Sequence, residues 1–220
     1  AVLDAADLTG ASLEQAFLQA ASCLGTRFDG MLGEHTQFGR AKLGHATFHG
    51  ARLTAPDFEG AVLDGTNFAG AELGRALFFE ATTKNVRFDG ATLEGVSFEC
   101  ARLAEASFFG AKGSGINFTG AELTRADFRW STFPRSHFTK ASATDARFDS
   151  AELSGARFFK ADLSRASFQL AKLVSADVCK ARLDETRFDH AQLYDAKFVG
   201  AKGVNTSFDE AFSLQSVRFS

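Results

Sequence analysis

From Ala1 to Glu210 the chain runs in 42 uninterrupted units of five residues. Ala fills the first position of 30 units and Leu or Phe the third position of 35, while most of the charge falls on the second, fourth and fifth. A helix repeats every 3.6 residues and a strand every 2, so neither holds a five-residue spacing on one face over such a length. The chain must turn once per unit. A small inward residue, a large inward residue and a corner in every unit describe a solenoid, whose neighbouring coils supply the hydrogen bonds that a five-residue segment cannot make alone. The composition follows from the repeat: 25 Phe against 1 Tyr and 1 Trp, and 20 Gly against 2 Pro. No apolar run approaches the length of a transmembrane helix, and the opening AVLDAADLTG has neither the basic region nor the apolar core of a leader. A net charge of -3 argues against a general nucleic-acid or membrane binder.

Units such as Ala61-Val62-Leu63-Asp64-Gly65 and Ala161-Asp162-Leu163-Ser164-Arg165 resemble the A-(D/N)-L-x-x signature of the pentapeptide-repeat family. The resemblance implies an all-β fold, a right-handed quadrilateral parallel β-helix with four units per coil and the first and third residues inside. On that basis residues 1–210 form a single β-helix of about ten coils, roughly 50 Å long at strand spacing. Residues twenty apart then stack. One side carries Phe28, Phe48, Phe68, Phe88, Phe108, Phe128 and Phe148, and the side two corners away carries Phe38, Phe58, Phe78, Phe98, Phe118, Phe138 and Phe158. The other two sides are mainly Leu. These columns are the expected core, each buried ring or Leu contributing roughly 1.5–3 kcal/mol.

Departures from the pattern are balanced in volume, as close packing demands. Gly33 has Met31 in its own unit, Gly113 is followed by Ile116 and Thr83 by Val86, and the bulky Phe133 lies between Ser131 and Ser136. Gly takes the corner in 12 of the first 24 units but only at Gly155 and Gly200 afterwards, which predicts more type II corners in the N-terminal half. Residues 211–220 break the register: Phe212, Leu214, Val217 and Phe219 fit the repeat only if shifted by one, predicting an out-of-register coil or a frayed end.

Catalysis needs groups that converge, whereas the outward residues of a solenoid diverge over flat walls. The five His fall on different sides and coils, so the chain is read as non-enzymatic, with no cofactor, catalytic or metal site. Cys23 is an inward centre, and Cys100 and Cys179 lie four coils apart, too far to bond. Unpaired thiols fit the cytoplasm or another reducing compartment and leave a secreted effector open.

Charge by wall is more telling. The wall of Phe38 carries 5 acids and, counting Arg218 of the tail with it, 7 bases, and is polarised along its length. Asp57, Glu59, Glu80 and Glu99 lie early; Lys140, Arg157, Lys160, Lys180 and Lys197 lie late, with Lys140, Lys160 and Lys180 at one corner. Phe79 and Phe159 take the outward fourth position here. Exposed aromatics with separated charge mark this wall as the candidate interaction surface. On the opposite wall Arg27/Asp29, Arg87/Asp89, Arg147/Asp149 and Arg187/Asp189 recur as Arg-Phe-Asp and read as solubilising pairs, with Phe109, Trp130 and Leu170 as weaker interface candidates.

Two functions follow. The first is a rigid scaffold or interaction module with a protein partner and no direct nucleic-acid contact. Ala1 already lies in register without an initiating Met, which suggests part of a larger bacterial protein, and the style of the array is similar to those fused to type VI secretion adaptors or effectors. Open coil ends would expose unpaired strand edges and offer a route to dimers. The alternative, implied by the resemblance, is a DNA mimic that binds DNA gyrase and modulates quinolone sensitivity. Mimicry needs a continuous negative surface, yet no wall is more negative than -3 and the Phe38 wall is +2. The tail AFSLQSVRFS also lacks the helical apolar face that a dimerisation segment needs.

Overall fold

The computed structural model describes residues 1–213. Its backbone closes on itself every twenty residues. Parallel bridges join the second residue of each unit to the second residue twenty further on, from Val2 with Ser22 to Gln192 with Phe212. With a turn every five residues, each coil has four sides. On one side the pairing broadens into three-residue strands, β1 (Leu32–Glu34), β2 (Arg52–Thr54) and β3 (Glu72–Gly74), in the order β1-β2-β3 with Gly33, Leu53 and Leu73 in register.

Hydrogen bonding explains the sequence signature. The second-residue N–H donates to the preceding coil (Ser22 N to Ala1 O, 3.0 Å), and the third and fifth donate to the following one (Leu3 N to Ser22 O, 2.7 Å; Ala5 N to Leu24 O, 2.8 Å). The first-residue N–H closes the turn behind it (Ala6 N to Leu3 O, 3.0 Å). Only the fourth-residue N–H is left over by the ladder. Acidic or amide side chains take it in two ways. Asp57, Asn67, Asn117, Asp127, Asp162 and Asp177, at the second position, accept from the fourth N–H of their own unit at 2.8–3.1 Å. Asp4, Asp29, Asp64, Glu94 and Asp184, at the fourth position, accept from the residue twenty further on at 2.8–3.0 Å. The Asp or Asn of the repeat is therefore a bond to an otherwise unpaired donor. First-position Thr is used similarly: Thr26, Thr36, Thr66, Thr186 and Thr206 each donate Oγ1 to the carbonyl of the Leu 23 residues earlier at 2.7–2.8 Å, which lets a hydroxyl replace Ala inside.

The core is two interleaved aromatic columns flanked by Leu and Ala. Rings twenty apart stack with centroids 4.6–5.1 Å apart, while rings of the two columns meet edge to face at 5.2–5.9 Å. Both arrangements suit the ring quadrupole, so each inner Phe has parallel neighbours above and below and perpendicular ones across. All ten Phe centres from Phe28 to Phe118 in these columns are fully buried, as are Phe128, Phe148 and Phe158. Met31 Cε lies 3.4 Å from where a Gly33 Cβ would stand and Ile116 Cδ1 3.1 Å from that of Gly113, so the compensating side chains fill the space the sequence assigned to them. Phe133, Ser131 and Ser136 are all buried together. In the first coil Leu3, Leu8, Leu13 and Leu18 are only partly buried.

Two expectations need correction. All 42 corner residues, 28 of them not Gly, have φ between 49° and 69°, so the turn with positive φ at its third residue is uniform along the rod. The ladder, not the corner residue, sets the turn, and a non-Gly corner bears the left-handed strain. At Gly90 (φ 63°) an added Cβ would meet nothing within 4 Å, so Gly90→Ala isolates that backbone cost. Urea denaturation should show a loss of about 1–2 kcal/mol; no loss would mean that the corner relaxes. The second correction concerns the end of the repeat. Phe212 keeps the second position, bridges Gln192 and is 59% exposed, so it is not shifted inward. The departure begins at Ser213, whose φ of 65° occupies a third position; Leu214, Val217 and Phe219 lie outside the described residues.

Candidate functional site

The wall of Phe38, Phe118 and Phe158 displays its second, fourth and fifth residues. Their order in each unit follows from the inward first and third. At the late end Lys140, Lys160 and Lys180 occupy successive corners and are exposed. Lys160 Nζ and Lys180 Nζ lie 5.4 and 5.6 Å from the centre of the Phe159 ring, one in its own unit and one a coil beyond. Their charge and the ring quadrupole hold each other in place. Phe159 is therefore half-buried under lysine stems, as Phe79 is half-buried on its own coil, and neither is a bare aromatic of the kind the sequence suggested.

Beside Phe159, Arg157, Asp177 and Lys197 stand in one column as consecutive bridge partners. They border an open groove of about 470 Å³ with Thr139 and Phe159. His137, at the head of this column, is held below the ordinary His range by burial and by the charge of Arg157. It is neutral at pH 7, and the basic half carries only its Lys and Arg charge. The acidic half is separate. Asp57 accepts from Glu59 N at 2.8 Å and Glu99 from Asn117 Nδ2 at 3.2 Å, while Glu59 and Glu80 are exposed. Phe79 and Phe159, four coils apart, are about 19 Å from one another. The wall thus brings the basic residues and Phe159 into one patch and leaves Phe79 in a second patch among acids. Leu77, 49% exposed beside Phe79, was missed; its signal is an apolar residue at a second position that is otherwise mostly polar.

On the opposite wall Phe109, Trp130 and Leu170 are 42%, 63% and 60% exposed, barer than either aromatic of the polarised wall. Arg129 covers the Phe109 ring at 5.4 Å and pairs with Asp127 at 2.6 Å. The Arg-Phe-Asp pairs do more than solubilise. Arg87–Asp89 and Arg187–Asp189 are ion pairs at 2.7 and 2.9 Å, and Asp89, Asp149 and Asp189 each also accept from Ser107, Ser167 and Ser207 of the next coil. Asp189 is buried, which raises its pKa, yet its bonds from Ser207 and Arg187 outweigh burial and hold it below the ordinary carboxylate value. These aspartates are rungs between coils.

Among the described residues no three His, Cys, Asp or Glu side chains converge as a metal set, and no helix is long and apolar enough to cross a membrane. Cys23, Cys100 and Cys179 are free thiols. Such geometry defines a parallel β-solenoid whose chemistry is confined to its walls. The chain belongs to the pentapeptide-repeat family. The family model described as a pentapeptide repeat region matches residues 81–158, and that for pentapeptide repeats (8 copies) matches 34–70, 56–95 and 166–202. No curated protein matches it in sequence. Among solved structures it is similar in fold to HetL, a pentapeptide-repeat protein involved in heterocyst differentiation regulation from the cyanobacterium Nostoc sp. strain PCC 7120: 22% identity, 93% of this chain and 86% of that one covered, TM-score 0.64. It also matches QnrB1, a plasmid-mediated fluoroquinolone resistance protein, at 15% identity, with 82% and 90% covered and a TM-score of 0.39. Rfr23 from the cyanobacterium Cyanothece 51142 matches at 18% identity, with 61% and 91% covered and a TM-score of 0.36.

Proposed function

We propose that this chain is a rigid, non-enzymatic interaction module, a right-handed rod of about ten coils that holds a protein partner on its polarised wall. The observation that carries this reading is the patch at Phe159, where two lysines sit over one ring with Arg157 and Lys197 alongside. Partly desolvated aromatic surface ringed by cations suits an anchor with a steering rim. A DNA mimic would need negative charge where this wall is positive. Accordingly the purified chain should leave gyrase supercoiling unchanged, and inhibition relieved by added DNA would put mimicry first. With a partner in hand, Lys160→Glu/Lys180→Glu should slow association without changing stability, and Phe159→Ala should speed dissociation. Unchanged kinetics in both variants would remove this wall from the reading.

A further inference from the structure

Resting on that reading of the wall as an interface, we propose that its partner is a second copy of this chain, packed antiparallel with the same wall face to face. Over the two coils on either side, the charge of the wall is antisymmetric about unit 116–120, which carries no charged residue; four coils out Arg40 and Lys197 are both basic, but Arg40 is a corner and Lys197 a second residue, so the two are not directly opposed. Two coils before it stands Ala76-Leu77-Phe78-Phe79-Glu80, and two coils after it Ala156-Arg157-Phe158-Phe159-Lys160. A two-fold axis lying in the wall, parallel to the strand of Phe118 and perpendicular to the rod, reverses the order of coils and keeps each residue's place along the strand. Fourth positions then meet fourth positions and corners meet corners. Phe79 meets Phe159 of the second copy, Glu80 meets its Lys160, and exposed Leu77 lies against the stem of its Arg157.

The neighbouring coils continue the match. Glu99 comes beside Lys140 of the second copy and Glu59 beside its Lys180, giving three acid–base contacts on each side of the axis. Among the described residues Glu59, Glu80, Lys140, Lys160 and Lys180 make no ion pair within their own chain. Glu80 and Lys160 of one copy are about 19 Å apart and cannot pair internally. One like-charged pair is opposed, Asp57 over Asp177, but Asp177 stands between Arg157 and Lys197 in its own column, so the local field it offers is positive. Such an isologous contact closes at two copies. A wall roughly 40 Å long and about 15 Å wide would bury about 1,200 Å² in total, at the low end for a specific interface, so the dimer should be weak and salt-sensitive.

Sedimentation equilibrium on the whole chain over a series of concentrations tests this. The mass should rise from 23.6 kDa towards twice that value. Glu80→Lys and Lys160→Glu each create two like-charge contacts across the axis, and each should weaken dimerisation by about tenfold or more. Mixed together, the two variants should associate again, because each supplies the charge that the other lacks; the double exchange in one chain should also recover. Recovery would show that both variants remain folded. A monomer at every concentration would overturn self-association, while loss of a different protein partner by Phe159→Ala would leave the interface reading standing. A dimer indifferent to both substitutions would move the contact to the coil ends and overturn the proposal, as would two weakened variants that fail to recover on mixing.

Discussion

Phe98→Ala should lower the unfolding free energy by about 3–5 kcal/mol. Phe98 is fully buried, stacked at 4.8 Å on Phe78 and 5.1 Å on Phe118, and set edge to face against Phe88 and Phe108 at 5.2 and 5.5 Å. Truncation removes four ring contacts and leaves a cavity the size of a benzene ring. The cost of such a cavity depends on how far its walls collapse. Here collapse is opposed on both sides, because Phe98 N is bonded to Asn117 O at 2.7 Å and Phe78 N to Ser97 O at 2.7 Å, which fixes the spacing of the coils. Urea denaturation of both proteins would measure the difference as a shift in midpoint at constant slope. A loss below about 1 kcal/mol would mean that the stack closes over the gap and that the coils are not rigidly spaced.

Much of this fold was legible because a repeat converts one local preference into many independent readings of it. Every Phe column was visible as a twenty-residue spacing, and the swaps of Met31 for Gly33 and Ile116 for Gly113 could be recognised since the core admits only one volume per coil. The corners misled for a physical reason. Gly permits positive φ but does not create it, and the ladder that does create it joins residues twenty apart in sequence. Trp130 and Leu170 adopt φ of 60° and 59° with no local signal at all. The aspartates were legible as charges but not as acceptors, because whether Asp189 faces water or the N–H and hydroxyl of the next coil depends on a residue, Ser207, eighteen positions away. The polarised wall could be read from charge alone. How far Phe79 and Phe159 are covered could not, since it depends on where Lys160 and Lys180 lay their stems.

The same rigidity makes a single methyl group costly. Gly113 needs no positive φ, so Gly113→Ala introduces no backbone strain of the kind found at the corners. Its new Cβ would instead lie 2.7 Å from both the carbonyl carbon and oxygen of Leu93 and 3.1 Å from Ile116 Cδ1. Ile116 could turn aside, but Leu93 is backbone. Its unit is tied to the ladder on both sides, with Leu93 N bonded to Lys112 O at 2.7 Å and Thr92 N to Ala71 O at 2.8 Å. Moving it disturbs three coils. The expected loss is about 2–3 kcal/mol, the range for overpacking a well-filled core. Gly74→Ala is the matched control, because an added Cβ there meets nothing within 4 Å. It should be neutral or stabilise by up to about 1 kcal/mol through the unfolded chain. Thermal and urea denaturation of the pair would separate the two effects. If Gly113→Ala proves as mild as Gly74→Ala, adjacent coils can part by several tenths of an ångström without loss, and the swap of a central side chain for Ile116 reflects convenience of volume alone.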